Sequence, residues 1–243
     1  MESVLDRVIK QNTENVNLLK TKDYNIFSVL QIQSKEVLIC RMIADLLNPR
    51  GQHGAGAEYL KIFLRDCLGM EKMDTKLADQ AIVTAEYAID DERRIDIVIE
   101  MGSYFLPIEV KIYAADQKSQ CFDYYQYAKR RDAQAKVYYL TLDGHRPGKD
   151  STSSGSQSVP EEDIVCLSFR EHILNWLKAC KNCGNTGMIP ILEQFIRNIE
   201  QISGYTSERG RNMVIDELLT SGDSLRAGMQ IADSINAAKA KLI

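Results

Sequence analysis

The chain has 243 residues, 44% hydrophobic and 26% charged, which allows a sizeable core and excludes a chain disordered throughout. Its formal net charge of −4 excludes a protein that coats nucleic acid through bulk positive charge, while leaving room for a local basic groove. No apolar run is long enough to cross a bilayer, and the opening MESVLDRVIKQNTENVN lacks a secretory apolar segment, so a cytoplasmic protein without a membrane partner is expected.

Residues 2–21 read as a helix, with Val4, Leu5, Val8 and Ile9 and then Val16, Leu18 and Leu19 as its apolar positions. A second helix is predicted from Ser34, a good N-cap, through EVLICRMIADLL. It should stop at Asn48-Pro49, because the residue before proline avoids helical angles. After the loop PRGQHGAG comes a third helix, AEYLKIFLRDCL, closed by Gly69. The pattern then turns β-rich: QAIVTAEYAI (80–89), followed by RRIDIVIEMGSYFLPIEVKI (93–112), two apolar runs around Gly102-Ser103. Residues 116–131 return to helix, and KVYYLTL (136–142) reads as a buried strand. Residues 143–162 are rich in Gly, Ser and Pro and are expected to form a mobile loop. DIVCLSF (163–169) is the last strand, and Ser168-Phe-Arg-Glu171 is a capping-box pattern opening the helix REHILNWLKAC. The remainder reads as helical in at least two pieces. Its final run, INAAKAKLI, looks helical to the last residue, so the natural chain is expected to continue.

This order predicts one α/β domain over 1–243: N-terminal helices in 1–79, an α/β core in 80–183, and a C-terminal helical segment in 184–243. The hairpin requires a mixed rather than a purely parallel sheet. No GxGxxG or GxxxxGK[ST] follows a strand, so nucleotide-binding fingerprints are missing. The six cysteines are scattered and read as buried free thiols. Cys180-Lys-Asn-Cys183 is a lone CxxC without a second ligand pair, which favours a helix end over zinc.

The hairpin 93–112 raises a chemical question, because Asp96, Glu109 and Lys111 interrupt its apolar residues. With Gly102-Ser103 as a two-residue turn, Met101 faces Tyr104, Asp96 lies opposite Glu109, and Arg94 lies opposite Lys111. Alternation then gives one wholly apolar face, carrying Ile95, Ile97, Ile99, Ile108, Val110 and Ile112, which should pack under a helix. Directly opposed carboxylates have Cβ atoms about 5 Å apart and repel. Something positive is needed between them: Lys111, or a divalent cation, whose oxygen shell suits two carboxylates and water. The same residues also read as a solvated ion cluster on an exposed face. A one-residue slip near Pro107 would separate Asp96 from Glu109.

Asp96, followed after a hairpin by Glu109-Val110-Lys111, resembles the motif of the PD-(D/E)XK nuclease superfamily, with Ile95 where the motif has proline. Gln120-Cys-Phe-Asp-Tyr124 resembles the QxxxY element of its RecB-type group. Glu36 and ADLLNPRGQHGAGAEYLKIFL resemble the start of a bacterial family within it, and VYYLTLDG resembles the next strand and turn. The resemblance spans about 25 to 145. It implies a restriction-endonuclease-like core, a central mixed sheet flanked by helices, that hydrolyses phosphodiester bonds of nucleic acid, DNA first, with Mg²⁺ or Mn²⁺. Asp96, Glu109, the Val110 carbonyl and Glu36 would hold the metal. Lys111 would face the attacking water or the scissile phosphate. Gln120 and Tyr124, four apart and so on one helix face, would line the site.

Around this set, Arg93 and Arg94 are candidate phosphate contacts, and His53 either touches phosphate or shapes its loop. Glu36 alone would read as a carboxylate favouring a helix N-terminus. Tyr124, Tyr125 and Tyr127 could stack on bases, with at least one expected in the core. Trp176 reads as core, and His145 and His172 receive no role. A catalytically silent nucleic-acid-binding or assembly module with the same fold is the competing expectation. A protein partner or a second copy of the chain is left open.

Overall fold

The computed structural model describes residues 24–71, 73–183 and 185–204, with isolated positions between 215 and 230. The helix expected over 2–21 and most of the C-terminal helical segment lie outside the described residues. Contacts divide the chain into two units, and Asn25–Ser203 is the one that carries the sheet.

Helix α1, Glu36–Leu47, occupies the predicted run and ends at an extended Asn48 before Pro49. Its N-cap is Lys35 rather than Ser34, because the Lys35 carbonyl is the first to accept helical bonds, from Leu38 and Ile39. Helix α2, Glu58–Asp66, terminates before Gly69, which takes φ +65°. The sheet consists of β1 (Ile82–Ala88), β2 (Arg94–Met101), β3 (Tyr104–Lys111), β4 (Val137–Thr141) and β5 (Ile164–Ser168), in that spatial order. The first three strands are antiparallel and the last three parallel, so the sheet is mixed as expected. Helix α3, Gln120–Arg131, makes the crossover between β3 and β4. It starts later than the sequence suggested, because Ser119 adopts φ +57° and breaks the helical path.

Side-chain alternation places α1 and α3 on opposite faces of the sheet. Phe105, Val137 and Tyr139 share a buried cluster with Cys121, Tyr124 and Ala128 of α3. The alternate β3 residues Leu106, Ile108 and Val110 are equally buried and point the other way, toward α1, which contacts β1, β2 and β3. Helices α4 (Leu174–Asn182) and α5 (Ile189–Ile202) continue the α1 layer, with α4 packed on α2 and on α5. Trp176 is fully buried there and donates to the Tyr59 carbonyl at 2.8 Å, a core role.

The hairpin register is the predicted one from Met101↔Tyr104 through Ile97↔Ile108, and there the regular ladder ends. On the other side, the β1–β2 pairing passes from Ala85↔Ile97 to Tyr87↔Ile95, skipping Glu86, which sits at φ +54°. Asp96 therefore lies where strand pairing is interrupted on both flanks.

The segment 143–162 was expected to be mobile because it is rich in Gly, Ser and Pro. It carries a short helix (Lys149–Thr152), a two-stranded ribbon (Ser153–Ser154 with Gln157–Ser158) and a 3₁₀ turn (Glu161–Asp163). Ser151 is fully buried and its hydroxyl accepts from the Cys121 N–H at 3.3 Å, while Val159 packs on Phe122 and Ile164. Its serines act as internal hydrogen-bond partners, which composition does not reveal. The Ser168 hydroxyl caps Glu171 N at 3.1 Å as expected, but His172 Nδ1, not the Glu171 side chain, accepts the Ser168 N–H. All six cysteines are free. No helix among the described residues is long and apolar enough to cross a membrane.

Candidate active site

The polar cluster lies at the C-terminal end of β3, beside the opened ladder. Asp96 comes from β2, Glu109 and Lys111 from β3, and Glu36 from the first turn of α1. Glu109 and Lys111 have side chains only 1% and 8% exposed, which decides against a solvated surface cluster. The Lys111 ammonium donates to Glu109 Oε1 in a buried ion pair. The Asp96 charge acts directly on the Glu109 carboxyl. Asp96 Oδ2 also accepts the Val110 N–H at 2.8 Å, replacing the ladder bond that β2 no longer supplies. In an extended strand the N–H and C=O of one residue point to the same side, so the Val110 carbonyl faces this gap too. Glu36 Oε2 accepts from Ile112 N at 2.8 Å and fixes the end of β3.

Burial pushes the Glu109 carboxyl well above the ordinary range, and the neighbouring Asp96 charge adds to the shift. Asp96 is raised by the same burial, against the opposing pull of the Val110 N–H and Lys111. Burial alone would lower Lys111, but Glu109 and Asp96 outweigh it and hold the ammonium charged. One atom is left unsatisfied: Glu109 Oε2 is buried without a hydrogen-bond partner. An orphaned carboxylate oxygen beside a second carboxylate, with the Val110 carbonyl on the same strand edge, is a donor set that fits a hard divalent cation. The fit is a two-carboxylate one. Among the described residues no three His, Cys, Asp or Glu side chains form a metal-holding group, so Glu36 does not close a three-carboxylate cage with Asp96 and Glu109.

Gln120 and Tyr124 do share one face of α3. Gln120 Nε2 donates to the Tyr124 hydroxyl at 3.1 Å, and that hydroxyl donates to the Arg94 carbonyl at 2.5 Å. They tie α3 to the residue two before Asp96. Arg94 itself is exposed, and among the described residues its guanidinium has no partner. Arg93 behaves differently from the expected phosphate contact. Its guanidinium donates to Asp123 Oδ2 at 3.0 Å, Gln117 Oε1 at 2.9 Å and the Lys118 carbonyl at 2.6 Å, so it braces the approach to α3. His53 is also internal rather than substrate-facing. It is 1% exposed and stacked on Tyr59, with Nδ1 accepting from Ala55 N and Nε2 therefore donating to the Asn48 carbonyl. Both ring nitrogens are engaged in shaping the loop.

Two neighbours of the cluster escaped the sequence reading. Cys40, one turn beyond Glu36 on α1, is completely buried, and burial together with Asp96, Glu36 and Glu109 pushes its thiol up. Its i, i+4 spacing from Glu36 was the available signal. Tyr139 is the β4 partner of Glu109, and its hydroxyl donates to Asp116 Oδ1 at 2.6 Å. Only the unpredicted parallel register brings it there.

A family profile described as the PD-(D/E)XK nuclease superfamily matches residues 24–198. The chain belongs to the PD-(D/E)XK nuclease superfamily. The mixed five-stranded sheet flanked by helices agrees with the restriction-endonuclease-like fold of the PD-(D/E)XK superfamily. No curated protein and no solved structure matches the chain.

Proposed function

We propose that the chain is a metal-dependent nuclease that hydrolyses phosphodiester bonds, with DNA as its first expected substrate and Mg²⁺ or Mn²⁺ as its cofactor. The observation that carries this reading is the unsatisfied Glu109 Oε2, buried beside Asp96 and the Lys111 ammonium. Asp96, Glu109 and the Val110 carbonyl would hold the ion. A bound divalent ion supplies a water of lowered pKa and polarises phosphate oxygens. Lys111 contributes a fixed positive charge, in a poorly solvated setting, for the negative charge that develops on the phosphate. Glu36 acts through Ile112, keeping the end of β3 in place. Gln120 and Tyr124 hold the backbone of Arg94, and with it the start of the strand that delivers Asp96. Arg94, two residues before Asp96, exposed and unpaired among the described residues, is proposed as a phosphate contact.

The competing reading is a silent nucleic-acid-binding or assembly module, and the missing third carboxylate in the metal group is the observation in its favour. The test incubates purified protein with plasmid, single-stranded DNA and RNA, in Mg²⁺, in Mn²⁺ and in EDTA, beside Asp96→Ala and Lys111→Ala. Cutting that needs metal and is lost in both variants supports the nuclease. Binding without cutting by the wild type supports the silent module, and cutting that survives both variants identifies a contaminant.

A further inference from the structure

The link between β3 and α3, Ile112–Ser119, has no regular secondary structure, and Tyr113 through Lys118 are exposed. Such a segment would ordinarily move. This one is held at Ile112 and again over Asp116–Ser119. Its first amide is held by Glu36. Asp116 accepts from the Tyr139 hydroxyl at 2.6 Å and from Gly148 N at 2.7 Å. Arg93 holds the Gln117 side chain and the Lys118 carbonyl. Ser119 donates from its amide to the Asp150 carbonyl at 2.7 Å and from its hydroxyl to the Ser153 carbonyl at 2.8 Å. Asp116, Gln117 and Ser119 thus have their polar groups engaged by neighbours. Two long side chains are left without partners among the described residues: Tyr113, a residue 69% exposed, and Lys118.

Position gives these two side chains their meaning. Tyr113 is two residues beyond Lys111 and adjacent to Ile112, whose amide is bonded to Glu36, so its backbone continues directly from the strand end that carries Glu109 and Lys111. Lys118 stands five residues on, at most ~17 Å away along the chain. Between them lie Ala114 and Ala115, small and exposed, which let a ligand approach the backbone. A single exposed tyrosine on an arbitrary surface calls for no explanation. Here a loop tied down at both ends displays it two residues after Lys111, with a cation unpaired among the described residues further along the same loop. An aromatic face paired with a cation is the recognition chemistry of unpaired nucleic acid: the ring stacks on a base, and the ammonium meets the backbone. A duplex keeps its base faces stacked on each other and offers none to such a ring.

We propose that the 112–119 rim receives a single strand of nucleic acid, with one base stacked on Tyr113 and a backbone phosphate at Lys118, so that unpaired segments or ends are the preferred substrate. The proposal rests on the nuclease reading for its biological sense, but binding tests it separately. Anisotropy in EDTA measures the affinity of wild type, Tyr113→Ala, Tyr113→Phe and Lys118→Ala for short labelled single strands of DNA and RNA and for matched duplexes. Circular dichroism checks that each variant folds. Loss of one stacked base weakens binding roughly 5- to 100-fold. Tyr113→Ala should show that loss on single strands and not on duplex, and Tyr113→Phe should retain wild-type affinity. A strand carrying one abasic position, moved along its length, should reveal a placement at which wild type and Tyr113→Ala bind alike. Lys118→Ala should reduce the salt dependence of single-strand binding by about 0.7 in the log–log slope, one phosphate. Equal losses on single strand and duplex, no loss in Tyr113→Ala, or a wild type that binds no single strand would each overturn the proposal. Binding that follows this pattern without any cutting would overturn the nuclease reading and leave the rim standing.

Discussion

Replacing Lys111 with methionine removes the ammonium from the carboxylate pair while keeping an apolar stem of similar length. Lys111 and Glu109 are both buried, and breaking a buried pair from one side costs ~3–5 kcal/mol. Protonation of Glu109 limits the loss. From an ordinary carboxylate value of 4.5, holding the proton costs about 1.4 kcal/mol per pH unit, or about 4 kcal/mol at pH 7.5. Burial and Asp96 already push Glu109 upward, so part of that cost is present in the wild type. The expected loss is therefore ~2–3 kcal/mol at pH 7.5 in metal-free buffer. In the variant the folded chain keeps a proton on Glu109 that the unfolded chain releases above 4.5. The folded state then binds more protons, so the deficit shrinks as pH falls from 8 toward 5, by up to ~1.4 kcal/mol per unit. Urea melts followed by circular dichroism, at a series of pH values in EDTA, read both quantities. A Lys111→Met protein as stable as wild type at pH 8, or a deficit that grows toward acid, would refute the view that this ammonium neutralises the pair.

Mn²⁺ or Mg²⁺ at a hundredfold excess over its dissociation constant should stabilise the wild type by about 2.7 kcal/mol in thermal or urea melts. Asp96→Ala and Glu109→Ala should lose that gain, and an undiminished gain in either would place the ion elsewhere. Tyr124→Phe leaves the buried Gln120 amide and the Arg94 carbonyl without their partner, for a loss of ~1–3 kcal/mol. Because one hydroxyl serves both, Gln120→Ala and Tyr124→Phe should be clearly less than additive in denaturant melts; strict additivity would show that they act independently. Arg93→Met should raise hydrogen exchange at the amides of residues 117–119 while leaving β3 and β4 protected, and unchanged exchange there would deny it the bracing role.

Local patterns carried the sequence reading as far as they reach. The two-residue turn at Gly102-Ser103 was enough to set the hairpin register as far as Ile97↔Ile108, since one slipped residue would exchange the two faces of the strand; Ile95 leaves the predicted alternation and joins the cluster under α3. The same reasoning could not see that the ladder stops just short of Asp96, because a side chain replacing a backbone acceptor leaves no trace in periodicity. His53 and Arg93 illustrate a second limit. Both looked suited to phosphate, yet their partners, Tyr59 for one and Asp123 and Gln117 for the other, are chosen by tertiary packing. The segment 143–162 illustrates a third: serine and glycine signal a turn, but the neighbouring Cys121 amide and Phe122 ring give this one its packing on α3. Glu36 was legible through the family resemblance alone, as its bond to Ile112 spans 76 residues.

The carboxylate of Asp96 serves two masters at once, as a cross-strand tie to Val110 and as half of the acidic pair. A demand on one of its oxygens is thus transmitted to the backbone of β3, on the residue between Glu109 and Lys111. Losing the Asp96 side chain would therefore cost a cross-strand bond and an acidic charge together, at the one peptide unit flanked by Glu109 and Lys111.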